Sequence, residues 1–444
     1  MATDLRDKLR RLGVHKGARS LNPTRTHGGS KTGGIEMFVA GRLVDTPHGS
    51  TFLHEETYDG GHLHGDHALG ELLSLSPAIA ARIGNEPALE QIELSRVAFL
   101  DTETTGLASG TGTLAFLIGV GTFEMPAPNF PTEASPTGAG SYRHTLTPNS
   151  SSSFLVRQFF LRNPAEEPAM LHALAEWLDS FEAVVSFNGR GFDLPLLHTR
   201  FTLARMRPRI LRAPHLDLLL PARRVWRGRL PSCALSSLEQ HILNVRREQA
   251  DVPGFLIPEM YVHYVRTGDG SEMPRVMYHN ALDILSMVSL STRLITLFGP
   301  AASPNGAPRS AGDWLALGKW YDDLGQAVEA EAALRACLDA QPDPACRAAA
   351  LHRLGRLLKR QERRAEAVRV WEALSASKTW ESVEACIELA KHHEWHAGDV
   401  ERALSWTREA VATLSQLPAS YVRDRFEAEL AHRLERLERK RQMC

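Results

Sequence analysis

The chain has 444 residues, 43% of them hydrophobic, and a formal net charge of −1. At about 150 residues per domain this leaves room for two or three cores, and it excludes a uniformly basic nucleic-acid coat, so any basic surface must be local. Five scattered cysteines without a Cys-x-x-Cys pair argue against a disulfide framework or a zinc ribbon.

Residues 1–34 begin charged and turn Gly- and Thr-rich, the composition of a mobile arm. No apolar h-region stands in Met1 to Val14, and no run reaches the roughly 18 apolar residues of a membrane span, so a cytoplasmic chain without membrane contact is expected. Residues 35–91 read as an extension packing on the domain that follows. In it, Met37 to Val44 alternates like a strand, and a Gly-rich loop carrying His62, His64 and His67 leads into a helix from Leu69 to Leu75. These three histidines would make a transition-metal site only with a fourth ligand, His54 or Asp66, and a supporting shell.

Residues 92–299 read as an α/β domain with a mixed sheet. Val97 to Asp101, Leu114 to Glu124, Phe154 to Phe160 and Ala183 to Phe187 have strand character,. Helical patterns cover Glu167 to Phe181, Leu194 to Met206 and Met273 to Phe298, and the polar, turn-rich stretch 126–153 is expected as a disordered loop. A linker is expected over 300–313. Across 314–444, Leu317-Gly318, Leu354-Gly355 and Leu389-Ala390 recur at spacings of 37 and 35 residues, each opening a helical pair. A period near 34 resembles tetratricopeptide repeats, an all-α region whose simplest role is docking a protein partner.

The chemistry lies in acids placed at element ends. Asp101 and Glu103 share one strand face because side chains alternate with period two. Asp193 follows an apolar strand and a Gly-rich turn, and Asp283 stands in the long helix after His279-Asn280-Ala281-Leu282. As an ordered set these motifs resemble the DEDD (DnaQ-like) exonuclease superfamily within the ribonuclease-H-like fold. The run Phe187-Asn188-Gly189-x-x-Phe192-Asp193-x-Pro195-Leu196-Leu197 looks like the proofreading exonuclease of family B DNA polymerases. With the helical tail, the arrangement resembles the bacterial YprB-like proteins over roughly residues 35–300.

That resemblance implies a two-metal 3′-to-5′ exonuclease with two Mg²⁺ or Mn²⁺ ions, hard cations that take oxygen ligands, acting on single-stranded ends of DNA or RNA. Asp101 would bridge both ions, Glu103 and Asp283 would hold one, and Asp193 would act on the other through water. The general base departs from both main subfamilies, one with His five residues before the last Asp and one with Tyr four before it. Here Tyr278 stands at five and His279 at four. Residues four apart share a helix face, which favours His279. Thr104, Thr105, Gly106 and Leu107 would receive the terminal nucleotide, Asn188 and Phe192 would contact or frame it, and Asp217 would support the ligands or cap a helix. Between Arg200 and Arg229 nine arginines face one acid, Asp217, a candidate phosphate-tracking surface that includes Arg223, Arg224 and Arg227. Two other outcomes stay open on such a fold, a nucleic-acid-binding scaffold of low activity and a structure-specific endonuclease.

Overall fold

The computed structural model describes residues 33–106, 112–124, 152–248, 251–299, 309–419 and 421–443. The arm to residue 32, Leu107, the stretch 125–151 and residues 300–308 lie outside them. The chain divides into two compact units, Met1–Ser303 and Pro304–Cys444.

The first unit is built on a seven-stranded sheet in the order β1-β2-β7-β6-β5-β8-β9. Its strands are β1 (Arg42–Thr46), β2 (Gly49–Asp59), β5 (Val97–Thr104), β6 (Ala115–Glu124), β7 (Ser153–Phe160), β8 (Ala183–Ser186) and β9 (His215–Asp217); a separate hairpin joins β3 (Leu63–His64) to β4 (His67–Ala68). Strand β5 pairs antiparallel with β6 and parallel with β8, and β8 pairs parallel with β9. This is the mixed α/β sheet expected. The extension does more than pack on it: β1 and β2 continue it, with β2 antiparallel to β7. The strand expected from Met37 begins only at Arg42, because Ile35–Met37 closes into a 3₁₀ turn with Ile35 in the core.

Helices α1 (Pro77–Gly84), α2 (Glu167–Leu178), α3 (Asp193–Leu203), α4 (Leu219–Trp226), α5 (Leu235–Leu238), α6 (Ile257–Thr267) and α7 (Met273–Phe298) complete the unit. Helix α7 is long and apolar enough to cross a membrane, but 83% of its most apolar window is buried in the fold, the signature of a core helix. It lies close over the sheet because β6 has glycines two residues apart on the facing side. A Cβ on Gly119 would sit 2.1 Å from Asn280 Oδ1, and one on Gly121 would sit 2.4 Å from Ile284 Cγ2. The strand's small-residue groove thus sets the height of the helix above the β5 carboxylates.

The second unit has seven helices among its described residues: α8 (Ala311–Asp323), α9 (Ala327–Asp339), α10 (Pro344–Arg360), α11 (Arg364–Ser375), α12 (Trp380–Trp395), α13 (Val400–Ser415) and α14 (Tyr421–Met443). Helix α8 packs on α9, α10 on α11, and α12 on α13, around buried Leu334, Leu354, Trp371 and Leu389. Gly355 lies where a Cβ would meet the Trp371 indole at 2.4 Å. Ser310 caps α8, so the last residues of the expected linker already belong to a helix.

Candidate functional site

Asp101 and Glu103 project from one face of β5, and Thr102 and Thr104 are buried on the other, as the pleat requires. Asp101 stands opposite Gly119 in the β5–β6 register. The space left by that glycine admits Asn280, which is fully buried. Its Nδ2 donates to Asp101 Oδ2 at 2.8 Å, and its Oδ1 accepts from Gln158 Nε2 at 2.8 Å. Gln158 uses its other N–H on the Met277 carbonyl at 2.8 Å. The orientation of Asp101 is therefore fixed from α7 and β7 through this chain of amides,.

Asp283 lies one turn beyond His279 on α7. His279 Nε2 is 3.7 Å from Asp283 Oδ2 and 3.8 Å from Glu103 Oε1. On the other side of the ring, Nδ1 lies 2.8 Å from Asp251 Oδ1. That contact is a hydrogen bond when Nδ1 carries the proton, which leaves the Nε2 lone pair facing the acids. Tyr278 is half-buried and is pushed up first by burial and then by the charge of Glu248.

Asp193 opens α3 and is 5% exposed. The Thr102 hydroxyl donates to its Oδ1, so this acid is tied to the strand beside the Asp101–Glu103 pair. The Gly-rich turn before it is shaped by Asp217. Asp217 Oδ1 accepts from the N–H of Asn188 at 2.9 Å and of Leu219 at 3.0 Å, and Oδ2 accepts from the N–H of Arg190 at 3.1 Å. Asn188 takes φ +66° there, a left-handed conformation Asn tolerates,. Replacing Asp217 by Asn would turn an N–H donor toward one of these backbone donors. The expected loss is about 1–3 kcal/mol, read by chemical denaturation; an unchanged midpoint would contradict the assignment.

Burial pushes all four acids up. Asp101 and Glu103 are held well above the ordinary carboxylate range, first by desolvation and then by the charges around them: Asp283 and Asp193 on Asp101, and Asp101, Asp283 and Asp193 on Glu103. Asp193 is raised to about 6, mainly by desolvation and against its Thr102 hydrogen bond. Asp283 is raised by desolvation, with Arg247 and His279 opposing. A set of oxygen donors that resists ionising together is suited to a hard divalent cation. Among the described residues, however, no three Asp, Glu, His or Cys side chains stand in a ready metal cage. Asp283 Oδ1 is taken by Arg247 Nη2, Asp101 Oδ2 by Asn280 and Asp193 Oδ1 by Thr102.

The other expected residues divide. The Thr104 hydroxyl donates to the Gly106 carbonyl at 2.8 Å, and Thr105 and Leu114 bond to each other, so this strand exit is ordered. Leu107 lies outside the described residues. Asn188 is exposed and Phe192 half-buried. Arg223, Arg224 and Arg227 are exposed at the end of α4. The arginine run is not one surface, however: Arg200 is 7% exposed and paired with Glu167 at 2.5 Å, and Arg209 holds the Asp179 carbonyl. Both partners are remote in sequence, Glu167 opening α2 and Asp179 ending it.

His62, His64 and His67 do not converge. His64 Nε2 bonds Ser286 Oγ at 2.8 Å, His67 Nδ1 faces Glu71 at 3.0 Å, and His62 packs edge-on to Tyr58. Asp66, the suggested fourth ligand, accepts from Asn244 at 3.2 Å. Burial lowers His64 to about 4, so it serves as a neutral core histidine.

Four residues escaped the reading of the sequence: Asn280, Asp251, Arg247 and Glu239. Asn280 stood inside the quoted motif, and the Gly119/Gly121 pair was the legible sign that something polar sits over Asp101. Asp251 and Arg247 come from irregular backbone with no period to read, and Glu239 from the short π turn Glu239–Leu243.

A family model described as RNase_H superfamily matches residues 130–295. That segment contains Asp193, Asp217, His279 and Asp283 but begins after Asp101 and Glu103. The chain is also 30% identical over 403 residues to the "Uncharacterized protein YprB" of Bacillus subtilis (strain 168), an alignment covering 87% of this chain and 86% of that protein.

Proposed function

The chain belongs to the YprB family and contains a ribonuclease-H-superfamily segment, and from that premise we propose that it is a divalent-metal-dependent 3′-to-5′ exonuclease acting on single-stranded nucleic-acid ends. One observation carries the reading. His279 Nε2 lies 3.8 Å from Glu103 of β5 and 3.7 Å from Asp283 of α7, and Asp283 stands close enough to Asp101 and Glu103 to add its charge to the burial that pushes both up.

Asp101, Glu103, Asp193 and Asp283 would hold the ions. Bound divalent cations supply positive charge at the scissile phosphate and acidify the attacking water. His279 Nε2 accepts the proton of that water, while Asp251 holds the ring through Nδ1–H, the same division of labour as in other base–orienter pairs. Asn280 keeps Asp101 from rotating, and Asp217 keeps the turn that presents Asp193. His279→Ala is expected to lower kcat by about 10²–10⁴-fold with KM little changed. Turnover equal to wild type would remove His279 from the mechanism.

Phe255 supports a single-stranded substrate. It is 75% exposed on the 3₁₀ turn Gly254–Leu256. That turn borders the site, since a Cβ on Gly254 would lie 3.7 Å from His279 Nε2. An exposed aromatic beside a phosphodiesterase centre is a platform for an unpaired base. Stacking is worth about 1–3 kcal/mol per base, so Phe255→Ala should raise KM for a single-stranded oligonucleotide about 5- to 150-fold at constant kcat. Equal KM values for the two proteins would exclude the platform.

For the helical unit we propose a docking role. A cleft of about 560 Å³ there is lined by Arg356, Lys359, Lys391 and Arg425 against Glu384, Glu388 and Glu429, with Trp371 and Phe426 at its walls. Lys359 and Lys391 are paired with Glu388 there, and Arg356 and Arg425 would be the cations that meet an acidic protein segment.

A further inference from the structure

Arg247 sits inside the acidic cluster, and its hydrogen bonds can be followed one by one. Nε donates to Glu239 Oε2 at 2.6 Å, and Nη2 donates to Glu239 Oε1 at 2.6 Å. The second Nη2 hydrogen reaches Asp283 Oδ1. Nη1 lies 3.3 Å from Asp251 Oδ2 and 3.1 Å from His279 Nδ1. With Nδ1 protonated toward Asp251, the ring cannot also accept from Arg247, so the Nη1 donor belongs to Asp251.

The anchor beneath it is deep. Glu239 is 1% exposed and sits on the π turn Glu239–Leu243. Ser286 Oγ donates to Glu239 Oε1 at 2.6 Å. Because that hydroxyl hydrogen is committed, His64 Nε2–H must donate to Ser286 Oγ across their 2.8 Å contact. Ser289 in turn donates to the His64 carbonyl at 3.0 Å. A continuous polar chain thus runs from the extension's hairpin through α7 to Arg247. A buried carboxylate deprived of its cation is strongly unfavourable, so Arg247 cannot leave Glu239. Its bond to Asp283 has no such anchor, because Asp283 faces the shared acidic space.

We propose that Arg247 is a built-in counter-cation of the carboxylate cluster: it neutralises Asp283 in the metal-free protein, and a divalent ion must take Asp283 from it while Glu239 retains the guanidinium. This rests on the metal-dependent reading given above and adds how metal loading is set. Arg247 and the ion compete for one carboxylate, whereas the oxygens of Asp101 and Asp193 that are engaged are held by the neutral donors Asn280 and Thr102. Affinity for the ion is then lower, and the metal-free fold firmer, than the four acids alone would give.

The test is direct Mn²⁺ binding to the full-length protein without substrate, counted from the electron paramagnetic resonance signal of free Mn²⁺. Arg247→Gln removes the competitor. Arg247→Lys keeps a charge for Glu239, protecting the fold, but one ammonium cannot fork between Glu239 and Asp283. Close charge pairs couple strongly enough that both variants should bind Mn²⁺ at least about tenfold tighter than wild type. Their melting temperatures should also rise more than wild type's on adding Mn²⁺. If Asp101→Asn abolishes Mn²⁺ binding but the Arg247 variants bind equally or more weakly, Arg247 orients Asp283 instead of competing for it, and this proposal falls alone. If neither wild type nor the Arg247 variants bind Mn²⁺, or Asp101→Asn binds it unchanged, the carboxylate site itself is not a metal site and both proposals fall.

Discussion

Asp101→Asn should abolish hydrolysis and, in metal-free buffer, raise the melting temperature. Asp101 is lifted first by burial and then by the charges of Asp283 and Asp193. Removing a charge that preorganises the reaction costs about 10²–10³-fold or more in kcat, while the amide retains the shape and can still accept from Asn280. The stability effect has the opposite sign. Acids raised on folding bind protons in the native state at pH values where the unfolded chain has lost them, so stability falls as pH rises through that window. For Asp193 the window runs from the ordinary aspartate range to about 6, and for Asp101 and Glu103 it extends upward from the ordinary carboxylate range. Metal-free wild type should therefore melt lower as pH rises across the window, and Asp101→Asn should flatten that slope. Differential scanning calorimetry across this range reads both. A melting temperature independent of pH would show that the acids do not repel one another as drawn. This is the familiar exchange of stability for activity at a charged site.

Gly119→Ala should cost about 1–3 kcal/mol of stability, the usual range for overpacking a core, and most of the activity. The new methyl would lie 2.1 Å from Asn280 Oδ1 and 2.5 Å from Ile284 Cδ1. Ile284 can rotate away, but Asn280 is locked between Gln158 and Asp101. Helix α7 must rise, carrying Asp283 and His279 away from β5. Urea denaturation and the hydrolysis rate should fall together, whereas Gly119→Ala with wild-type activity would mean that the Asn280–Asp101 bond does not set the geometry of the site.

Much of this was readable in the chain. Period-two alternation placed Asp101 and Glu103 on one face, and the uninterrupted apolar pattern of α7 gave its span, Met273–Phe298. His279 over Tyr278 followed from helical spacing, and it is His279 that faces the acids. What could not be read depends on contacts between segments distant in sequence. The β1–β2 strands join the sheet edge through pairing with β7, about a hundred residues away. Arg200 looked like surface charge because its partner, Glu167, lies on another helix. Asp217 stood out in the sequence as a support or a cap, but its three-residue strand gave no sign that it binds the turn before Asp193. Arg247 and Asp251 lie in irregular backbone, where no repeat announces which way a side chain points.

The central claim is tested most directly by following 3′- and 5′-labelled single-stranded DNA and RNA with Mg²⁺ or Mn²⁺, using wild type beside Asp101→Asn and Asp193→Asn. The account requires metal-dependent, stepwise shortening from the 3′ end that both substitutions remove. Chelator-resistant cleavage, or cleavage unchanged in both variants, would contradict it, and cutting of circular substrates would replace the exonuclease with an endonuclease on the same site.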